Sequence, residues 1–279
     1  MKKIKRHNLS AYIILILIGI LIIFPFIWMF FACFKTNAEI LGSTKLFPES
    51  YSFDAFIKGW NGVGDITFAT YFKNTFIMVI PTVAFTVFSC SFVAFGFARF
   101  RFPLKKMFFA MMISTLMLPN SVIIIPRYLI FNKLGLLNTY WPFYLPAIFA
   151  CFPFFIFMIV QFLRGIPKEL DEAAYIDGCS SLRLYFSILI PLIKPALFSA
   201  GLFQFMWTWN DFFNTLIYIS SVKKFPVSLG LRASLDTAAQ VQWDKVMAMS
   251  MISILPLIFM FFFAQKYFVE GISTTGLKG

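Results

Sequence analysis

Four of the twelve carboxylates in this chain fall within ten residues, ELDEAAYIDG at 169–178. The stretch lacks a nucleophile or a set of metal ligands beside it. The only histidine, His7, lies in the N-terminal tail. No His-based triad and no His-rich metal site can therefore be built inside the fold. There is no GxxxxGK[ST] run to cradle the phosphates of ATP. With catalytic and metal chemistry set aside, the remaining uses for such a cluster are a charged docking surface or a solvated connector.

The surroundings say what kind of chain presents it. Of 279 residues, 60% are hydrophobic, 13% are charged and 40 are Phe. A soluble domain carries about 25% charged residues, so this is the composition of an integral membrane protein. The net charge of +12 comes from basic residues flanking apolar spans, where they meet an anionic membrane face. Nucleic acid is not implied. Cys33, Cys90, Cys151 and Cys179 form no CxxC pair and read as small apolar residues, not a disulfide framework.

A helix needs about 20 apolar residues to cross a bilayer. Six windows qualify: 11–32, 74–97, 107–126, 141–163, one within 192–219, and 246–264. The first is too long for the apolar region of a signal peptide and reads as a retained span. Pro25, Pro81, Pro119, Pro146, Pro153 and Pro256 fall inside the windows, which is tolerated where neighbours satisfy the freed carbonyls. The expectation is an all-α polytopic membrane protein with six transmembrane helices. Lys2, Lys3, Lys5 and Arg6, then Arg99, Arg101, Lys105 and Lys106, then Arg164, Lys168 and Arg183 share one side in an N-in/C-in arrangement. The opposite loops, 33–73, 127–140 and 220–245, carry their basic residues, Lys223 and Lys224 among them, at lower density. The acidic stretch is thus expected to be cytoplasmic, between spans four and five.

GIPKELDEAAYIDG has the grammar of a short helix. Pro167 suits a first helical position, Glu169, Asp171 and Glu172 complement the helix dipole, and Gly178 ends it in the left-handed region. Leu170, Ala173, Ala174 and Asp177 share a face at helical spacing. A Leu beside two small residues lets another surface approach closely, with carboxylates for a basic rim. Two readings stand at this point: a helix docked in the groove of a cytoplasmic protein, or a solvated connector.

Glu172-Ala173-Ala174, then Gly178, then Ile188-Leu189-Ile190-Pro191 resembles the EAA loop of ABC importer permeases. The departure is Ile190, where that pattern has Leu. FARFRF at 97–102, IPRYLIFNKLGLLNTY at 125–140, IPLIKPAL at 190–197, WNDF at 209–212 and the closing KYFVEGISTTGLKG at 266–279 are similar to the carbohydrate-uptake branch, in particular its smaller maltose-type permease subunit. The resemblance implies a type I importer fold in the cell membrane of a bacterium. It implies an N-terminal tail, first span and extracytoplasmic loop over 1–70, a permease domain over 71–265 and a cytoplasmic tail over 266–279. It implies a second permease subunit, a dimer of ATPase subunits that hydrolyses the ATP, and an extracytoplasmic sugar-binding protein, with no cofactor and no enzymatic activity in this chain. Leu170, Glu172, Ala173, Ala174, Asp177, Gly178 and Pro191 would then couple to the ATPase, with Ala173 and Ala174 buried in its groove. The closing tail would also touch the ATPase pair, and the 34–72 and 229–245 loops would face the binding protein.

Candidate residues for the translocation pathway are Trp207, Trp209, Asn210 and Asp211. A carboxylate in a span is a functional candidate by default, and from Pro195 a straight helix carries Asp211 about 24 Å into the core. A hydrogen bond or ion pair between helices is the plainer role for it. The two tryptophans suit stacking on a sugar ring or anchoring at the interface. An amino-acid or polyamine permease would share the EAA loop without the carbohydrate-type tail and the 125–140 run; a membrane lipid enzyme is the remaining alternative.

Overall fold

A computed structural model describes residues 9–62, 66–236 and 241–275, with side chains for 11–62, 66–235 and 241–263. The basic N-terminal tail with His7 and residues 276–279 lie outside the described residues. Among the described residues the secondary structure is helical, with no strand. Four helices are long and apolar enough to cross a membrane: Ala11–Ala32, Phe68–Arg99, Trp141–Gly165 and Trp243–Phe263. Two bent pairs raise the number to six if each pair is one span.

The bends replace two straight spans of the sequence reading. Lys105–Met117 and Asn120–Lys133 meet at 103°. Pro119 offers no N–H and disfavours helical backbone in the residue before it, and Leu118 is accordingly extended, at φ −79° and ψ 119°. Ser181–Leu192 and Lys194–Trp209 meet at 77° around Ile193, between Pro191 and Pro195. The second of these helices ends at Trp209, so Asp211 is not carried deep on a straight helix as expected. It lies in the break before Phe213–Tyr218. Another difference concerns the closing tail: the helix Trp243–Thr275 runs on through most of it.

The chain forms two compact units. One takes the described residues of 1–69 and 230–255, the other those of 70–229 and 256–279. In the first, the most apolar 18-residue stretch of the helix Ala11–Ala32 has no buried residue, whereas Ala32 at its end is fully buried. At the end of that helix Phe30, Phe31 and Phe34 make edge-on contacts with one another and with Phe47 and Phe53. The buried Lys35 donates to the Lys45 carbonyl. Gly59 lies so close to Met249 that a Cβ would approach its side chain to 3.0 Å.

In the second unit the helix Phe68–Arg99, 32 residues long and part of that unit from Thr70 on, is a rod that contributes to both core clusters. Pro81 lies within it and leaves the Ile77 carbonyl without its helical donor. The Tyr144 hydroxyl donates to that carbonyl at 2.6 Å. One core cluster joins Ala94 and Phe95 of this rod to Leu163, Ala174, Leu184 and Tyr185. Tyr185, fully buried, lies in a single π-helical stretch, Leu184–Leu189. Its hydroxyl is 2.7 Å from Ser91 Oγ. The serine proton is committed to the Phe88 carbonyl at 2.9 Å, so the tyrosine is the donor.

Tyr185→Phe deletes that one buried hydrogen bond while Ser91 keeps the Phe88 carbonyl. A loss of about 1 kcal/mol is expected, seen as a melting point lower by a few degrees in detergent. An unchanged melting point would show that the bond contributes nothing.

Candidate functional site

The acidic stretch forms the helix Glu169–Ile176, with Glu169, Asp171 and Glu172 in its first turn. Lys168 caps its start, so Pro167 lies two residues ahead of the first helical position expected for it. The far end closes as the sequence predicts. Gly178 has φ +77°. The Cys179 N–H donates to the Ala174 carbonyl at 2.9 Å and the Gly178 N–H to the Tyr175 carbonyl at 3.0 Å, the paired bonds of a Schellman motif.

The faces divide differently from the expected docking surface. Ala174 is 4% exposed and belongs to the chain's own core. It anchors the helix and is not open to a partner. Asp171, one turn earlier, is buried as well. Outward stand Leu170, Glu172, Ala173, Ile176, Asp177 and Gly178. Ile176 was missed by sequence reasoning although it lies three residues after Ala173; at 86% exposure it is the barest large apolar side chain on the helix. Pro191 precedes the bend at Ile193 and is itself exposed.

Asp171 is held by a residue that the sequence reading counted only as a topology signal. Arg99, in the last turn of the rod, places Nε 2.8 Å from Asp171 Oδ2, and both side chains are buried. The Arg99 Nη2 group also donates to the Ile166 carbonyl at 3.2 Å. Burial pushes the Asp171 carboxyl above its ordinary range, and Arg99, then Lys168, pull it back only in part. Ionising Asp171 thus costs more in the folded chain than in the unfolded one. That penalty sets in as pH rises through the ordinary carboxylate range and is complete above the raised native value, so at neutral pH the charged Asp171 is a net cost to stability.

The other candidate residues separate. A cavity of about 760 Å³ is lined by Trp207, Asn210 and Asp211, but not by Trp209. Trp209 is 5% exposed, stacked on Phe205 with centroids 5.4 Å apart, and edge-on to Phe76. It is a core residue. Trp207 is half exposed and packs its ring on Phe154 and Phe155. Asp211 accepts from the Asn214 backbone N–H at 3.0 Å and from Asn214 Nδ2, so it caps the Phe213–Tyr218 helix while facing the cavity.

Arg127, Gln204 and Asn214 line the same cavity and were missed. Arg127 is a cation in the middle of the apolar helix Asn120–Lys133, which was the available signal. It acts on Asp211 electrostatically, yet no ion pair within 4 Å joins them. Gln204 Oε1 and Asn214 Oδ1 are buried acceptors without a hydrogen-bond partner. Among the described residues no group of His, Cys, Asp or Glu is arranged to hold a metal.

These features define a multi-pass membrane protein with an open, largely apolar cavity that carries a few polar side chains, and a separate charged helix. Comparison with known proteins places it. Residues 90–274 match the family model described as "Binding-protein-dependent transport system inner membrane component". The "Probable ABC transporter permease protein YurM" of Bacillus subtilis is 36% identical over 97% of this chain and 88% of the relative. The "Arabinooligosaccharides transport system permease protein AraQ" of Halalkalibacterium halodurans is 32% identical over 94% of this chain and 93% of the relative. A chain from the crystal structure of a bacterial ABC transporter involved in import of the acidic polysaccharide alginate shares the fold, with a TM-score of 0.83, 22% identity, and coverage of 96% of this chain and 100% of that one. The chain belongs to the binding-protein-dependent transport system inner membrane component family. It is a permease subunit of the inner membrane, and the ATPase lies in other chains.

Left-handed backbone costs a residue with a Cβ about 1–2 kcal/mol. At Gly178 no atom lies within 4 Å of the added carbon, so the cost is backbone strain alone. Gly178→Ala should therefore lower the melting point of the purified protein by a few degrees, and Gly178→Val by more, since a β-branched side chain also meets its own backbone in the left-handed region. An unchanged melting point in Gly178→Ala would show that the left-handed turn is not needed to close the helix.

Proposed function

We propose that this chain forms half of the translocation pathway of an ATP-driven carbohydrate importer and that Glu169–Ile176 is its coupling helix. In this reading the partners are a second permease subunit, a dimer of ATPase subunits and an extracytoplasmic sugar-binding protein. ATP is bound by the ATPase pair, and this chain holds no cofactor. The density of Lys and Arg supports an N-in/C-in arrangement, which puts the acidic helix and the closing tail on the ATPase side. The permease domain is taken as 71–265.

The observation that carries the coupling role is the division of the acidic helix into two faces. Its base, Asp171 and Ala174, is sunk in the permease, while Leu170, Ala173 and Ile176 stand bare beside Glu172. A bare apolar ridge flanked by carboxylates on a fixed base suits a groove with a basic rim. A solvated connector has no use for an isoleucine that is 86% exposed.

The carbohydrate reading draws on the relatives named for arabinooligosaccharide and for alginate transport, and the cavity supports it. Gln204 Oε1 and Asn214 Oδ1 are acceptors in want of donors, which sugar hydroxyls supply. Asn210, Asp211 and Arg127 add polar contacts, and Trp207 offers a ring face for stacking. Trp209 is withdrawn from the pathway by its burial.

Two experiments test the reading. Ala173→Glu sets a second carboxylate into the docking face, and burying an unpaired charge costs several kcal/mol. Co-purified ATPase should fall by orders of magnitude while the permease still inserts; retention of the ATPase would make the helix a connector only. For the cavity, Asp211→Leu should cut uptake of radiolabelled arabino- and malto-oligosaccharides by about tenfold, the equivalent of one lost contact of ~1.4 kcal/mol. With the four native cysteines replaced, Asp211→Cys should react with a membrane-impermeant maleimide. Labelling only by lipid-phase reagents would remove Asp211 from the pathway.

A further inference from the structure

The Arg99–Asp171 pair joins two elements that sequence separates widely. Asp171 belongs to the acidic helix, and Arg99 ends the helix Phe68–Arg99. The same helix contributes Thr82 to the cavity wall. Seventeen residues from Arg99 back to Thr82 span about 25 Å of continuous helix at 1.5 Å per residue, so the rod reaches from the acidic helix to the cavity.

The non-polar contact alone is a poor grip. Within the core cluster the acidic helix contributes Ala174, a single methyl that allows sliding. The Arg99 side chain adds direction. It meets Asp171 at 2.8 Å and the Ile166 carbonyl at 3.2 Å, so one guanidinium holds the helix and the segment before it. Nor is stability a sufficient reason for the pair. Burial of Asp171 costs more than Arg99 returns, and apolar replacements of buried pairs are often neutral or stabilising.

We propose that the Arg99–Asp171 pair is the mechanical link that passes displacement of the acidic helix to the Phe68–Arg99 rod and through it to the cavity wall. Arg99 and Asp171 are positioning residues in this scheme and touch neither ATP nor solute. The link rests on the reading of Glu169–Ile176 as the coupling helix.

The test uses the complete transporter in lipid nanodiscs and needs no knowledge of the sugar. Cys151 lines the cavity and is exposed, whereas Cys33 and Cys90 are buried. With Cys179 replaced by serine, the labelling of Cys151 by a membrane-impermeant maleimide, located by mass spectrometry, reports access to the cavity. In the parent, ATP with vanadate should change the labelling rate by about tenfold, the response to a shift of ~1.4 kcal/mol between cavity orientations. The double variant Arg99→Met with Asp171→Leu should keep the melting point and the co-purified ATPase, yet lose that nucleotide response. A merely structural pair would leave the response intact once fold and docking are intact, and that result overturns the link. Loss of the ATPase in the double variant also overturns it, since the pair would then only shape the docking surface. Ala173→Glu, run in parallel, separates the two readings. If it abolishes docking while the double variant responds normally, the link alone fails. If it retains the ATPase and a full response, the coupling role and the link fail together.

Discussion

An unpaired backbone polar group in hydrocarbon costs several kcal/mol, and the permease core meets that cost with side chains at several of its helix interruptions. Pro81 frees the Ile77 carbonyl, and Tyr144 takes it up. The helix Trp141–Ile148 ends inside the apolar region, and Ser89 donates to its Ala147 carbonyl at 2.5 Å. Where the chain restarts after Trp209, Asp211 receives the Asn214 N–H. At these three places the freed backbone group is met by a polar side chain from a neighbour or from the break itself. The breaks also make the cavity: Leu118, Cys151, Pro153, Asn210 and Asp211 lie at or beside them and line it. Irregular backbone at membrane depth is tolerated where it is buried in protein or faces such a space.

The acidic helix meets the same demand in another way. Its C-terminal carbonyls are closed by the Gly178 turn, and its N-terminal end carries three carboxylates for the dipole. That local completeness lets a helix of eight residues, too short to be stable alone, keep its shape while only one side is packed. The other side is left bare for a partner.

Much of this was legible in the sequence, for physical reasons. Helix-terminating glycine, first-turn carboxylates and apolar windows of bilayer length are local signals, and the acidic helix and the spans follow from them. The bends were not legible: proline marks where a helix can stop, but the angle of the next one depends on packing from elsewhere. Trp207 and Trp209 looked equivalent as residue types. Two positions along a helix turn about 200° around its axis, which leaves one tryptophan facing the cavity and buries the other in the core. Asp171 looked like one more solvated carboxylate because its partner, Arg99, is far away in sequence. Ala174 was assigned to the docking face since a stretch of small residues does not say which side is inward.

The two arginine–aspartate combinations of the permease unit show how one chemistry serves two ends. Arg99 and Asp171 are closed to 2.8 Å and shut away from solvent. The two charges face each other directly, although Asp171 Oδ1 keeps no hydrogen-bond partner. Arg127 and Asp211 share a cavity without closing to an ion pair, and Asp211 is steadied by Asn214 instead. Charges kept apart by a separate hydrogen-bond partner retain capacity for a third party. A ligand site needs that residual capacity, because a fully satisfied wall offers a polyhydroxy solute nothing in return for its lost water. A connector between moving parts needs the reverse, a contact closed on itself. The permease unit thus places the closed pair at the end of the Phe68–Arg99 rod and the open one at the cavity.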